Sequence, residues 1–226
     1  MSDALRREYT GEGLSESELA ATPWEQARQW VDDAVYRSVE RDDVPEPLAM
    51  SLATVDAAGH PDVRAVLLRF LDPAGPGFVT NLESAKGTQI AGNPRVAAAL
   101  VWAGMYRAIR FRGTADLLGR SEVERYFNER PWGSRISAWA SQQSQVIDDR
   151  SGLEEAYQRY AAQWPDRGGP TDVPVPHFWG GYRITCHEVE FWAGRSNRLH
   201  DRLAFVRVGD GLLDDVGAWR SERRQP

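Results

Sequence analysis

Apolar and polar residues along this chain follow two periods, one for strands and one for helices. Between Tyr106 and Leu118, Ile109 and Phe111 fall on one face and Arg110 and Arg112 on the other. That two-residue period predicts a half-buried strand. Val96 to Trp102 is an apolar strand just before it. Further upstream, Ala49 to Val55 leads into a turn at Ala57-Ala58-Gly59-His60-Pro61, and Val63 to Leu71 follows. A Pro/Gly turn over Asp72 to Gly77 then precedes Phe78-Val79-Thr80. Short turns between β-rich runs predict an antiparallel meander. Strand patterns return at Trp179 to Cys186, Val189 to Trp192 and Leu203 to Val208, and Gly209-Asp210-Gly211 turns into a last strand ending near Trp219.

Helical spacing fills the gaps. Thr22-Pro23-Trp24-Glu25 reads as a capping box with proline at the first helical position. Trp24, Ala27, Val31, Ala34 and Val35 carry that helix to about Arg41. Ser84 to Ala91 suits a short helix stopped by Asn93-Pro94. Ser121-Glu122-Val123-Glu124 and Ser151-Gly152-Leu153-Glu154 read as further capping boxes, and the first opens a helix closing before Arg130-Pro131. Ser134 to Ser141 predicts a short helix, and residues 165–176 a loop. Residues 1–21 are polar and read as a tail. With no internal repeat and no long linker, residues 1–226 are expected to form one domain, mainly β with peripheral helices around a barrel.

Composition narrows the function. With 42% hydrophobic residues and nine tryptophans, the chain can bury a sizeable core. A net charge of -6 argues against a general nucleic-acid binder. Cys186 is the single cysteine, which leaves no intrachain disulfide and no cysteine metal cluster. No apolar run is long enough to span a membrane, and Met1 to Thr10 lacks the apolar core of a signal peptide, so a cytoplasmic location is expected. Of the 27 basic residues only Lys86 is a lysine.

The candidate chemistry is anion binding. If residues 198–202 are extended, Arg198, His200 and Arg202 share a face, beside the aromatics of Glu190-Phe191-Trp192. Cations on one face suit a pocket for an anion, or a solvated strand end. Arg64 and Arg69 bracket the apolar Ala65-Val66-Leu67-Leu68 and read either as ligands or as solvated ends. Ser84-Ala85-Lys86 at a helix start offers N–H groups, a hydroxyl and a cation, which suits a phosphate or an ordinary cap with a surface lysine. Tyr126, Arg130 and Ser134 recur every four residues and form either a second oxyanion site or a capped helix end. Gln142-Gln143-Ser144 is a polar cluster after Trp139. His60, His177 and His187 have no metal-ligand spacing with His200 and no metal is expected.

Together these segments resemble the pyridoxamine 5′-phosphate oxidase family. The resemblance runs from Arg6-Arg7-Glu8-Tyr9-Thr10 almost to the C-terminus. It rests on Arg64-Ala65-Val66-Leu67-Leu68, Thr80 to Lys86, Tyr126-Phe127-Asn128-Glu129-Arg130-Pro131, Ala138 to Ser144, Trp179-Gly180-Gly181-Tyr182-Arg183, Glu190-Phe191-Trp192 and Arg198-Leu199-His200-Asp201-Arg202. It implies a split β-barrel homodimer with FMN at the subunit interface. By that likeness Arg64, Val66, Leu67, Thr80, Ser84, Lys86, Gln143, Ser144, Trp192 and Arg202 would line the flavin site. Arg69, Tyr126, Arg130 and Ser134 would hold the phosphate of a phosphorylated pyridine. Arg198 and His200 would sit over the substrate as catalytic residues, and Arg6 and Tyr9 would belong to an N-terminal segment closing the site.

The implied reaction oxidises pyridoxamine or pyridoxine 5′-phosphate to pyridoxal 5′-phosphate, with O2 as acceptor and hydrogen peroxide as product. The same resemblance leaves two other readings: a phenazine-pathway type of FMN oxidase acting on a carboxylated ring, and a non-catalytic flavin- or haem-binding split barrel. Three positions depart from the family's usual pattern. Arg69 stands for a lysine, Ala108 for a glutamine near the flavin ring, and Ala85 for an arginine beside Lys86.

Overall fold

A computed structural model describes residues 8–226; the role expected of Arg6 lies outside the described residues. Among the described residues, nine antiparallel strands form one curled half-barrel sheet: β1 (Ala49–Val55), β2 (Pro61–Leu67), β3 (Phe70–Asp72), β4 (Gly75–Asn81), β5 (Arg95–Trp102), β6 (Arg107–Leu117), β7 (Trp179–Ala193), β8 (Asp201–Arg207) and β9 (Trp219–Arg223). Their order is β2-β1-β5-β6-β7-β4-β3, with β8 and β9 continuing from β7. The helices are α1 (Pro23–Glu40), α2 (Ala85–Gly92), α3 (Arg120–Glu129), α4 (Trp132–Ala140) and α5 (Arg150–Gln163).

The alternation in β6 works as its pattern predicts. Ile109 and Phe111 are fully buried, and Arg110 and Arg112 face outward. They join Met50, Leu52, Leu100, Ile184, Phe191 and Leu203 in the main core. Helix α1 closes that core, with Trp30 edge-on to Phe191 at 5.4 Å. Its start is capped as expected: Thr22 Oγ1 accepts from Glu25 N at 3.2 Å. A smaller cluster around Phe127, Ile136, Ala138 and Val173 ties α3 and α4 to the loop before β7.

Strand β7 is the spine of the sheet. Two strands were expected here and one 15-residue strand is found. Its register against β6 shifts between Arg112 and Gly113, where His187 is the extra residue of a bulge. Gly113 is needed there, because a Cβ would lie 2.2 Å from Thr185 O.

Four expectations fail locally. Helix α3 is capped by Gly119 and α5 by Asp149, each two residues before the proposed Ser121 and Ser151 boxes. Asp149 Oδ1 accepts from Gly152 N at 3.2 Å, which leaves Ser151 inside the helix. The last strand begins at Trp219 instead of ending there, after a 3-10 turn over Val216–Ala218. The N-terminal segment from Tyr9 to Ala21 is not a loose tail: Leu14 is buried, and its N–H donates to Asp201 Oδ2 at 3.0 Å.

Candidate functional site

The first group of site residues gathers where β4 runs into α2. Lys86 is buried, and its Nζ donates to Gln143 Oε1 (2.6 Å), Ser84 Oγ (3.0 Å) and Thr80 Oγ1 (3.1 Å). Ser84 caps α2, and Ser144 Oγ accepts from Ala85 N at 3.2 Å. Ser144 has φ 75, a left-handed conformation that serine rarely adopts. Among the described residues, the acceptors of Lys86 Nζ are thus all neutral. Burial, then the nearby Arg64 guanidinium, push its pKa down to about 8. Arg64 is aimed by Thr54 Oγ1 (2.6 Å), Gln89 Oε1 (2.8 Å) and Leu52 O (3.1 Å). Val66 and Leu67 follow it on β2, at the edge of the sheet.

The second group lies beside the first. Arg69 is held between β2 and β3, its N–H donating to Gly77 O at 2.8 Å, and its side chain is exposed. Tyr126 packs on Phe70 at 5.5 Å. Arg130 ends α3 as its C-cap, and its guanidinium stacks 4.5 Å from the centre of Trp179. Burial lowers the Arg130 pKa; Tyr126 acts the other way, and the charges of Arg69 and Arg135 add to the lowering. Arg69, Tyr126 and Arg130 therefore share one neighbourhood, with Ser134 in the first turn of α4.

The third group sits at the opposite end of β7. Trp192 lies opposite Ala108 on β6 and Arg202 on β8. The His200 ring is 4.8 Å from that of Trp192, and Tyr9 meets His200 (5.1 Å), Trp192 (5.9 Å) and Tyr106 (5.1 Å) edge-on. The extended face expected for Arg198, His200 and Arg202 is not formed. Arg198 sits in a 3-10 turn, Ser196–Arg198, with Asn197 and Arg198 at φ 55 and 62, and it is exposed.

Arg202 is gripped by Glu190, Nε at 3.2 Å and Nη2 at 3.0 and 2.9 Å, while Nη1 donates to Gln225 O at 3.0 Å. Buried Glu190 also accepts from Arg110 (2.9 Å) and Arg224 (3.1 Å). Sequence reasoning missed Glu190, Gln89 and Thr54 as supports. The signal for Glu190 is its pairing with Arg110, which follows once β6 and β7 are put in register.

These groups do not all meet within one chain. Thr80 pairs with Gly180 and Arg202 with Trp192, at opposite ends of β7. At about 3.3 Å per residue, they are separated by roughly 35–40 Å along the strand.

Residues 39–163 match the family model described as pyridoxamine 5′-phosphate oxidase, and residues 179–226 match a pyridoxine 5′-phosphate oxidase C-terminal dimerisation region. A pyridoxine/pyridoxamine 5′-phosphate oxidase of Kineococcus radiotolerans is 46% identical, covering 98% of this chain and 97% of its own length. Its counterpart in Pseudomonas paraeruginosa is also 46% identical, with the same coverage. Among solved structures, PhzG of Burkholderia lata 383 in complex with tetrahydrophenazine-1-carboxylic acid superposes with TM-score 0.82 at 27% identity, covering 96% of this chain and all of that one. An FMN-binding protein of Nostoc punctiforme, at 18% identity, shares the fold, with TM-score 0.67 over 92% of this chain and all of that one. With motif order, split-barrel architecture and full-length likeness in agreement, the chain belongs to the pyridoxamine 5′-phosphate oxidase family of enzymes.

Proposed function

We propose that this chain is a cytoplasmic FMN-dependent oxidase that converts pyridoxamine or pyridoxine 5′-phosphate to pyridoxal 5′-phosphate. O2 is the acceptor, hydrogen peroxide is a product, and the amine substrate also yields ammonia. The carrying observation is two cations, Lys86 buried and Arg130 half-buried, that pair with no carboxylate among the described residues, while Arg64 beside Lys86 is shared with Asp62. A phosphorylated cofactor and a phosphorylated substrate need two such places.

The residues suit FMN. Ser84, Lys86 and Arg64 offer a capped helix start and two cations for its phosphate, with Gln143 and Ser144 closing the edge. When bound, FMN supplies the two-electron chemistry. Arg69, Tyr126, Arg130 and Ser134 hold the substrate phosphate. Arg198 and His200 orient the reacting carbon. Because His200 Nδ1 accepts from Arg195 N at 3.1 Å, the neutral ring carries its proton on Nε2 and meets the substrate as a donor. The separation along β7 is bridged in a homodimer, where the Lys86 end of one protomer meets the Trp192 end of its partner. The matched dimerisation region and the exposed Val63, Val101 and Val146 support that assembly.

Anaerobic mixing with pyridoxamine 5′-phosphate tests the reaction: the flavin absorbance should bleach. A second reading has its own support. Arg69 presents a planar fork that matches a carboxylate, and PhzG, the structural neighbour, holds a carboxylated ring. Flavin bleached by such a ring and untouched by either phosphorylated substrate would favour that reading. Bound flavin that no substrate of either class reduces would favour the non-catalytic one.

FMN affinity should depend on pH through Lys86. Its ammonium is intact below about pH 8 and pairs with phosphate, and the bound phosphate raises its pKa. Affinity should therefore fall as pH rises above about 8, by up to roughly tenfold per unit. Lys86→Arg should flatten the response, since arginine stays charged. Flavin-fluorescence titration measures both; a wild-type Kd constant from pH 7 to 9 would remove Lys86 from the phosphate.

A further inference from the structure

Asp201 opens β8 between His200 and Arg202, is buried, and receives donors from the N-terminal segment, the turn after β7 and β9. Its Oδ2 accepts from Leu14 N at 3.0 Å and from Arg195 Nε, and its Oδ1 from Arg223 Nη1 at 2.6 Å. Arg223 in turn grips Glu16 through two bonds of 2.6 and 2.9 Å and reaches Leu14 O at 3.3 Å. The Arg223 guanidinium draws the Glu16 pKa down to about 2, as expected of a tight ion pair. The N-terminal strap is thereby locked to β8 and β9 around Leu14.

Arg195 joins this lock to the ligand-facing ring. Its side chain is on Asp201 while its backbone N–H holds His200 Nδ1. Gly13 completes the join. It has φ +83, and a Cβ there would lie 2.2 Å from Arg195 Nε, so strap backbone and guanidinium are in close contact. Tyr9, a few residues earlier, covers His200 and Trp192.

We propose that Asp201 is a positioning residue that fixes His200 and the Tyr9 strap as one unit, with Arg195 as the link. The coupling stands on these contacts alone; its effect on turnover rests on the function proposed above.

Two variants test it without removing the buried carboxylate. Gly13→Ala presses on Arg195 from the strap, and Arg195→Ala deletes the link at an exposed side chain. Amide exchange at residues 14 and 195, and the His200 ring nitrogens, are followed by NMR in the FMN-loaded protein. Both variants should bind FMN as the wild type does. In both, the amide at 195 should exchange at least about tenfold faster, and the Nε2–H form of His200 should lose its dominance. In both, kcat/KM for pyridoxamine 5′-phosphate should fall by about tenfold or more. Faster exchange at Leu14 in Gly13→Ala, with residue 195 and His200 unchanged, would overturn the proposal. If the wild type turns over no pyridoxamine 5′-phosphate, the proposed function fails, and the exchange and ring-nitrogen readings still decide the coupling.

Discussion

Lys86→Ala and Arg198→Ala protomers, each nearly inactive as a homodimer, should recover activity when they are assembled together. The expectation comes from the length of β7. Lys86 is tied through Thr80 to the Gly180 end, and His200 packs on Trp192 at the other end. If every site takes Lys86 from one protomer and Arg198 from its partner, a mixed dimer carries one site with both lesions and one with neither. Random pairing of equal amounts makes half the dimers mixed, so about a quarter of wild-type sites should be intact. Lys86→Ala alone loses a charge-assisted contact of about 1.5–3 kcal/mol, so the assay belongs at limiting FMN. Arg198→Ala should keep FMN and melt near the wild-type temperature, because its side chain is exposed on a 3-10 turn. The measurement is oxidase activity of the randomly paired, co-expressed pool; a doubly tagged mixed dimer isolated from it should have about half of its sites intact. Activity no higher than that of either parent would place all these groups in one protomer's site.

Arg69→Ala should lower kcat/KM for pyridoxamine 5′-phosphate by roughly ten- to a hundredfold, from a charged hydrogen bond worth about 1.5–3 kcal/mol. Arg69→Lys should retain activity, because a point charge also pairs with phosphate. Arg69 shares its surroundings with Arg130, whose pKa it depresses, and two cations placed together gain most when a dianion arrives between them. Pyridoxamine lacking the phosphate should be a poor substrate for the wild type and should respond little to either change. Equal losses for both amines would place Arg69 away from the phosphate.

The strands could be read from the sequence because a sheet with one wet face writes its burial in every second residue, as Ile109, Arg110, Phe111 and Arg112 show. Helix starts were less legible. Ser121 and Ser151 carry the right spacing to a glutamate, but Glu124 is engaged by Arg120 and Glu154 by Arg150, so spacing alone did not locate the caps. The site followed the same division. Lys86, Ser84, Thr80, Gln143 and Ser144 come together at the start of α2. Arg198 leaves the expected face because Asn197 and Arg198 adopt left-handed conformations, which nothing in an Arg-Leu-His-Asp-Arg run requires. Glu190 and Asp201 were invisible as supports, since their partners lie on other strands and on the strap.

The solitary lysine gives the chain one more property. All other cationic side chains are guanidiniums, so an amine-acylating reagent has one side-chain target besides the terminal amine. That target lies on the floor of the Thr80–Gln143 cradle and gives up its proton near pH 8. A mild acylating label, counted at the side chain, is therefore a built-in occupancy gauge: its uptake at Lys86 reports whether the cradle is open, with no competing signal from another lysine.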